Sequence, residues 1–320
     1  MKSKKLRRIL VPIDFSEESI NTLRIAKLLG ERLRAQLHLV HVIALFPPTF
    51  PPRRAILPMV ASAGAIVRSA VKRLKDFAFE QSVQPLPYSC TTRIGAPAVE
   101  ISKAARKIRA DFVAIATRGY TGLKYAFLGS TTTQLVRTAP CPVLVVRELE
   151  HLPAGERARR GRTPLQFQRI LVPLDFSECS RVGVDYALGI AREFRSRLLL
   201  FHSVTVQSYT FGDEYTALEG PNLTKLQQDY AEGEMEKLRR ALARKSIKLK
   251  TVISVGSPVE QINECVRSHG VDLVVTSTHG RTGLRRVFIG STAEQIVRHA
   301  ICPVLVVPNR ATQKTPRKNR

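Results

Sequence analysis

Two glycine-rich stretches contain the residues best suited to bind an anion. Residues 117–131 read TRGYTGLKYAFLGST and residues 278–292 read THGRTGLRRVFIGST, each after an apolar, β-branched run. A strand that ends in a glycine loop and re-enters a helix presents unpaired backbone N–H groups at the positive end of the helix dipole, which suits a phosphate. Glycine also lets the main chain approach an anion closely and adopt positive φ. The sequence therefore predicts a phosphate loop in each stretch, with an ordinary strand–loop–helix connection as the alternative.

The candidate anion ligands recur at matching positions. Nine residues separate Gly119 from Gly129, and nine separate Gly280 from Gly290. The serine after each closing glycine is expected to cap the following helix or to give its hydroxyl to the anion. The candidates are Gly119, Gly122, Gly129, Ser130 and Thr131 in the first stretch, and Ser277, Gly280, Arg281, Gly283, Gly290, Ser291 and Thr292 in or beside the second.

The chain of 320 residues repeats itself once. Residues 9–17 read ILVPIDFSE and residues 170–178 read ILVPLDFSE, 161 positions later; 139–146 and 300–307 are related by the same offset. A constant offset indicates duplication of one domain. We predict a first domain over 1–148, a linker over 149–168, a second domain over 169–309 and a basic disordered tail over 310–320.

Strand and helix patterns alternate within each copy. In the first copy the patterns predict strands at 8–14, 36–43, 88–94, 111–116 and 142–147, and helices from Ser16, at 60–82, at 97–109 and at 130–138, with Ser16 as the first N-cap. The second copy repeats this order from 169 to 308. Strands separated by helices imply right-handed βαβ units and a parallel sheet. Apolar strands without alternation indicate a sheet covered on both faces, so the predicted fold class is α/β.

Further candidates lie at the predicted strand ends. Asp14 and Asp175 end the first strand of each copy, and residues 41–42 and 202–203 end the second. Ligands of open parallel sheets bind at the carboxyl ends of strands, so these residues and the glycine loop converge on one crevice, which matches the parts of a nucleotide. Helix N-capping is the alternative for both aspartates. We interpret His41 and His202 as packing or loop residues, because no carboxylate at a fixed local spacing orients them.

The net charge and the cysteine spacing indicate which partners and metal sites to expect. The formal net charge is +25, with basic clusters at Lys2–Arg8, Arg157–Arg162 and Arg310–Arg320. This predicts nonspecific attraction to polyanions at the termini and linker. The five cysteines have no CxxC or zinc-ligand spacing, so we expect free thiols and no metal–thiolate site.

The sequence does not support several other classes of protein. It has no Gly-x-Ser-x-Gly elbow, no HExxH and no Walker-type Gly-Lys-Ser/Thr, which excludes a conventional P-loop ATPase. Its apolar runs fall short of the roughly 18–20 residues that cross a bilayer, and the run behind the basic start is broken at Pro12. We therefore expect a cytoplasmic protein without a signal peptide or a membrane span.

Four motifs, in the same order in both copies, resemble the universal stress proteins. They are Ile-Leu-Val-Pro-x-Asp-Phe-Ser, the Gly-x-Pro at 95–97 and 256–258, Gly-x9-Gly-Ser-Thr, and the closing Cys-Pro-Val-Leu-Val-Val. The resemblance covers nearly all of both copies. It implies two five-stranded parallel sheets of order 3-2-1-4-5, with helices on both faces. It also implies dimer-like pairing through the last strand, either between the two halves of one chain or in a homodimer.

Nucleotide-binding members of this family hold ATP, with Mg²⁺ accompanying the phosphates. By resemblance, Asp14 and Asp175 contact the adenine, and the glycine loops hold the phosphates. Val42 matches the second-strand residue whose backbone contacts the base, and Ser203 stands there in the second copy. Pro12 and Pro173 complete the candidate cofactor-binding residues. The ATP-binding pattern has a further glycine where this chain has Ala116 and Ser277, so a Cβ crowds the ribose there.

We therefore predict a stress-response protein that binds ATP or a related adenine nucleotide in one or both domains, with little or no turnover. Arg281 and His279 favour the second domain as the tighter site, because they place basic groups beside the phosphates. One alternative is a chaperone-like interaction protein whose basic surface binds acidic partners or nucleic acid. The other is a slow ATP hydrolase.

Overall fold

Two doubly wound α/β units make up the computed structural model of this chain, Met1–Glu148 and Leu149–Arg320. It describes residues 6–44, 56–117, 128–147, 167–205, 221–243, 247–278 and 289–308. The predicted loop residues Gly119, Gly122, Gly280, Arg281 and Gly283 lie outside the described residues. The same holds for the predicted tail and for most of the predicted linker.

The first unit contains a parallel sheet of order β3-β2-β1-β4-β5. This confirms the predicted strand order. The strands are β1 (Arg8–Pro12), β2 (Gln36–Ile43), β3 (Tyr88–Ile94), β4 (Phe112–Ala116) and β5 (Val143–Val146). The helices are α1 (Glu17–Leu33), α2 (Ile56–Glu80), α3 (Pro97–Ile108) and α4 (Ser130–Thr138).

The second unit repeats this architecture, with the parallel order β8-β7-β6-β9-β10. Its strands are β6 (Arg169–Pro173), β7 (Arg197–Val204), β8 (Leu249–Val255), β9 (Leu273–Ser277) and β10 (Val304–Val307). Its helices are α5 (Glu178–Phe194), α6 (Pro221–Ala243), α7 (Pro258–His269) and α8 (Ser291–His299).

The central strands lie in the core of each unit. β4, with the sequence FVAIA, and β9, with the sequence LVVTS, are buried at every position. A strand buried on both faces needs apolar residues without alternation, because neither face meets water. The lack of alternation in the sequence therefore correctly predicted a sheet covered on both faces.

Two predicted boundaries are wrong. The first strand ends at Pro12 rather than at residue 14, because Phe15 adopts a left-handed backbone with φ 65° that turns the chain towards α1. α2 begins at Ile56 rather than at residue 60. Pro58 falls in its first turn, where a missing N–H costs no helical hydrogen bond, so the proline does not delay the start of the helix.

A buried aspartate in the first unit and a half-buried one in the second join the starts of neighbouring strands. The Asp272 carboxylate accepts hydrogen bonds from the backbone N–H groups of Gln168 (2.7 Å) and Arg169 (3.2 Å), which links β6 to the start of β9. Asp111 accepts from the N–H groups of Arg7 (2.7 Å) and Arg8 (3.0 Å) in the first unit. Burial raises the pKa of Asp272 to about 6, although its backbone hydrogen bonds act in the opposite direction.

The raised pKa of Asp272 predicts a pH-dependent loss of stability. The folded state holds this proton more tightly than the unfolded chain, so the stabilisation is complete below about pH 4 and is lost as the pH rises through about 6. The loss is at most about 3 kcal/mol, since one pKa unit corresponds to roughly 1.4 kcal/mol. Urea unfolding of the wild type and of Asp272→Asn between pH 4 and pH 7 measures it. The wild type should lose stability relative to the variant as the pH rises, and a constant difference would contradict the assignment.

Candidate functional site

A cavity of about 630 Å³ opens at the carboxyl end of the second unit's sheet. Pockets of roughly 300–1,000 Å³ are typical of small-molecule sites. The cavity brings together the ends of β6, β7 and β9 with the first turn of α8 and one face of α6. Of the predicted site residues of the second copy, the cavity is lined by Pro173, Asp175, Ser203, Ser277, Gly290, Ser291 and Thr292.

Asp175 is held at the cavity wall by the start of α5. Its Oδ1 accepts hydrogen bonds from the backbone N–H (3.0 Å) and the hydroxyl (2.6 Å) of Ser177. Ser177 is the N-cap of α5, and its Oγ accepts from the N–H of Ser180 at 3.1 Å. Ser177 is therefore the cap, and the two hydrogen bonds to Asp175 hold it in position.

The first unit has the same arrangement around Asp14. Its Oδ1 accepts from the N–H (3.1 Å) and the hydroxyl (2.5 Å) of Ser16, and Ser16 caps α1 as predicted. Direct N-capping by the aspartates, the alternative drawn from the sequence, is wrong in both copies. Each aspartate lies two residues before its cap serine and bonds to that serine. Its carboxylate therefore stays beside the end of the first strand of its unit.

A phenylalanine next to each aspartate adopts an unusual backbone conformation. Phe15 and Phe176 have φ values of 65° and 63°, which cost a residue with a side chain about 1–2 kcal/mol. The ring of Phe176 lies 4.5 Å from the His202 ring and 6.2 Å from the Tyr230 ring, between centroids. Sequence reasoning missed this aromatic cluster. The only available indication was the phenylalanine that follows the aspartate in both copies.

His202 and His41, at the ends of β7 and β2, make equivalent contacts in their own units. Nδ1 of His202 lies 2.7 Å from the carbonyl oxygen of Leu174, and Nδ1 of His41 lies 2.7 Å from that of Ile13. Each ring also packs on the neighbouring phenylalanine. These contacts fix the rings against the backbone where the first strand ends, which agrees with the predicted packing role.

The predicted capping by Ser130 and Ser291 is wrong. The N-caps of α4 and α8 are Gly129 and Gly290, the serines are the first helical residues, and no side chain caps either helix. The reason is the way each loop closes: the N–H of Gly290 donates to the carbonyl of Thr278 at 2.8 Å, and Gly129 does the same to the carbonyl of residue 117. This places the N-cap one residue earlier than the serine, and the helix begins at the serine itself.

The closing glycines also differ from the expected geometry. Gly129 and Gly290 have φ values of −56° and −59°, so positive φ does not explain glycine at either position. Close approach of the backbone to a ligand remains as a reason for glycine there. Since the Gly290 N–H is used in loop closure, the first-turn N–H groups without an intrahelical acceptor are those of Ser291, Thr292 and Ala293.

The second strand ends in different surroundings in the two units. Ser203 donates its hydroxyl to the carbonyl of Gly256 at 2.7 Å, and Gly256 has φ 137°. In the first unit Val42 pairs in register with Arg93, whose guanidinium lies 3.2 Å from Glu100. An ion pair therefore occupies the edge of this strand end only in the first unit, because the second copy has Ser254 and Gln261 at these positions.

The long helix beside the site also differs between the units. On α6, Leu226 and Tyr230 are 65% and 57% exposed, yet both line the cavity. The matching residues of α2 are the small Ala65 and Ser69. In the first unit it is Arg73 that lies over the Phe15 ring, 4.1 Å from its centroid. Sequence reasoning missed this wall, because a helix far along the chain supplies it.

The described part of the chain has neither a cluster of metal ligands nor a membrane-spanning helix. There, no group of three or more His, Cys, Asp or Glu side chains is placed to hold a metal ion. No helix in the same ranges has the length and apolar character needed to span a membrane. All five cysteines are free thiols, and burial raises the pKa of Cys265 to about 11, which makes this thiol unreactive.

The fold defines a doubly wound α/β protein that carries two copies of one architecture, with a cavity at the strand ends of the second copy. The model of the universal stress protein family matches residues 5–147 and 166–308. The chain therefore belongs to the universal stress protein family, with two family domains in tandem.

The matching relatives each span one domain of this chain. A universal stress protein of Methanocaldococcus jannaschii is 29% identical over 141 residues, which is 44% of this chain and 82% of the relative. The protein YxiE of Bacillus subtilis is 28% identical over 149 residues, 44% of this chain and 99% of the relative.

Solved structures match over both domains. A universal stress protein of Archaeoglobus fulgidus aligns with a TM-score of 0.64 at 18% identity, over 95% of this chain and 99% of its own. A functionally unknown protein of Pseudomonas aeruginosa aligns with a TM-score of 0.61 at 19% identity, over 96% and 94%. At this identity the likeness establishes the fold.

Proposed function

We propose that this protein acts in the stress response and binds ATP, or a related adenine nucleotide, in its second domain, with little or no turnover. The observation that carries the proposal is the cavity of about 630 Å³, which gathers the predicted residues of the second copy at the strand ends. Membership of the universal stress protein family supports the stress-response assignment.

The cavity lining offers a match to each part of a nucleotide. Leu226, Tyr230 and Ile262 line it with apolar surface that suits a purine ring. The Asp175 carboxylate supplies hydrogen-bond acceptors for an exocyclic amine. The first turn of α8, at Ser291, supplies N–H groups and the positive end of a helix dipole for the phosphates. Mg²⁺ would enter with the phosphates as the ATP complex.

The titratable side chains of the cavity support binding rather than hydrolysis. Among the lining residues that the structure describes, which do not include residues 279–288, these are Asp175, His202 and Tyr230. Asp175 Oδ1 is bonded to Ser177, and Nδ1 of His202 faces the backbone carbonyl of Leu174. Both groups lie at the strand ends beside the predicted base position, whereas a general base for hydrolysis must reach a water at the terminal phosphate. We therefore favour binding with little turnover over a slow ATP hydrolase.

Differences between the units favour the second domain. Tyr230 and Leu226 provide an aromatic and an aliphatic wall, where the first domain has Ser69 and Ala65. The first domain also places the Arg93–Glu100 ion pair beside its second strand end. A charged pair next to the base position makes burial of a neutral purine less favourable, because the charges must give up part of their hydration.

Isothermal titration of the full chain with Mg·ATP tests the proposal. We expect one dominant site per chain and phosphate release close to background. Adenosine should compete weakly, because it lacks the phosphates that contact α8. Absence of binding heat, together with absence of co-purified nucleotide, would refute nucleotide binding. Two equal sites would refute the preference for the second domain.

A further inference from the structure

The edge of the first unit's sheet where the strands begin is crowded with arginines. The N–H of Gln36 donates to the carbonyl of Arg7 (2.7 Å), and the N–H of Asp111 donates to the carbonyl of Arg8 (2.8 Å). These bonds join the starts of β1, β2 and β4 at one junction. It lies at the opposite end of the strands from the crevice that the aspartates mark, so any role of this edge is separate from the nucleotide site.

Two further arginines flank the junction in a conformation that glycine usually adopts. Arg34 and Arg109 end α1 and α3, each with φ 51°. Helices commonly place glycine or asparagine at such left-handed C-caps. Each arginine lies two residues before a residue of the junction, Gln36 or Asp111, and both side chains are exposed. The unusual choice of residue places two exposed arginines on the segments that bond to Arg7 and Arg8 through the backbone.

The last turns of the same helices add more positive charge. Arg32, Arg106 and Lys107 are exposed there. We call the seven residues Arg7, Arg8, Arg32, Arg34, Arg106, Lys107 and Arg109 the basic edge. The carboxylates in these segments are the exposed Glu31 and the buried Asp111, which accepts backbone N–H groups. Within the described residues, no ion pair to a carboxylate holds Arg34, Arg106 or Arg109.

The second unit carries a similar edge at the same end of its own sheet. Arg169, Arg195 and Arg267 stand where the first unit has Arg8, Arg34 and Arg106. Arg195 again ends its helix in the left-handed region, with φ 54°. Here Arg197 is added at the start of β7, and its N–H donates to the carbonyl of Gln168 at 2.7 Å. The acidic groups in these segments are Glu193, Glu264 and Asp272; Glu264 lies 3.8 Å from Arg267, and Asp272 accepts hydrogen bonds from the backbone N–H groups of Gln168 and Arg169.

Helix dipoles explain only part of this charge. Basic side chains in the last turn of a helix interact favourably with its negative end, which accounts for Arg32 and Arg106. The dipole does not require arginine at a left-handed cap, where glycine fits the backbone better. It does account for Arg169, whose guanidinium donates to the carbonyls of His269 (3.2 Å) and Gly270 (3.5 Å) at the end of α7. It does not explain Arg8, which opens β1.

We propose that the basic edge of the first domain binds the phosphate backbone of nucleic acid without reading its sequence. Guanidinium groups bind phosphates in bidentate geometry, and a cluster of them releases the counterions that condense on a polyanion. An anionic membrane is disfavoured as the partner, because the described segments 6–8, 31–36 and 106–111 expose no large hydrophobic side chain for insertion. The proposal places the site on the folded first domain rather than only on the basic clusters at the termini and linker.

Arg34→Gly combined with Arg109→Gly tests the proposal. Glycine accepts φ 51° readily, so the variant removes two charges and preserves both helix ends. The control is Arg68→Gln with Lys75→Gln, which removes two charges from exposed positions of α2. The probe is a fluorescent mixed-sequence duplex of about 20 base pairs, titrated with the full-length protein between about 50 and 200 mM salt.

We expect wild-type affinity to fall steeply with salt. The edge variant should bind about tenfold more weakly at about 100 mM, with a salt slope smaller by up to about 1.8, since each lost phosphate contact contributes about 0.9. The control should lose less than about threefold, and both variants should keep the wild-type unfolding temperature. Equal losses in the two variants, or no loss in the edge variant, would overturn the proposal. So would binding to phosphatidylserine vesicles without binding to the duplex, or sequence-specific binding that survives high salt.

Discussion

Asp175→Ala in the full chain should lower the affinity for ATP by about 10- to 100-fold, since a hydrogen bond to a charged group contributes roughly 1.5–3 kcal/mol. The carboxylate lines the cavity and is held there by the Ser177 N–H and hydroxyl. The matched change Asp14→Ala, in the same local geometry in the first domain, should alter the affinity by less than about threefold. Calorimetry on both variants measures the difference directly.

The control for this prediction separates binding from helix capping. Ser177→Ala removes the side-chain cap of α5 and one hydrogen bond to Asp175, but it leaves the carboxylate in place. It should therefore lower the unfolding temperature while retaining most of the ATP affinity. If Asp14→Ala alone loses ATP, the nucleotide lies in the first domain. If Ser177→Ala loses as much ATP affinity as Asp175→Ala, the aspartate acts only through the cap.

Gly290→Val should abolish measurable ATP binding, a loss of more than about 100-fold. Gly290 lines the cavity at the N-cap of α8, where the proposed phosphate approaches the backbone. Its φ of −59° and ψ of 143° are accessible to valine, so the variant should fold. The branched side chain then occupies the space that the phosphates need, and equilibrium dialysis with labelled ATP measures the loss.

The repeat supplies a matched control for the glycine variant. Gly129 has nearly the same backbone, with φ −56° and ψ 145°, at the start of α4 in the first domain. Gly129→Val should therefore keep ATP binding in the second domain. Wild-type affinity in Gly290→Val would refute the proposed phosphate position. Should that variant fail to fold, Gly290→Ala, with a single added methyl group, serves instead and should still weaken binding measurably.

The fold class was predictable from the residue patterns, whereas the strand order came from the resemblance to the universal stress proteins. Apolar, β-branched runs such as those of β4 and β9 encode buried strands locally, and the repeat at 161 positions confirmed each reading with a second copy. The N-cap of α1 was predictable for the same reason, because Ser16 and its acidic neighbours act within one helical turn.

Helix starts that depend on a distant contact were not predictable. Ser130 and Ser291 have the chemistry of caps, but the bond from Gly290 to Thr278 and its counterpart in the first unit place glycine at the cap. That bond joins residues separated by the whole glycine loop. Propensity alone does not reveal where such a loop closes.

The sequence by itself determined that this chain is a tandem α/β protein with aspartates at strand ends, because those features are local and repeated. Only the tertiary structure decided what surrounds them. Tyr230 on α6 and Ser291 on α8 line one cavity, although some 60 positions separate them. Arg34 and Arg109 flank one junction through backbone bonds between β1, β2 and β4. Both the cavity wall and the basic edge arise from chain segments that meet only when the sheet is assembled, so no local pattern encodes them.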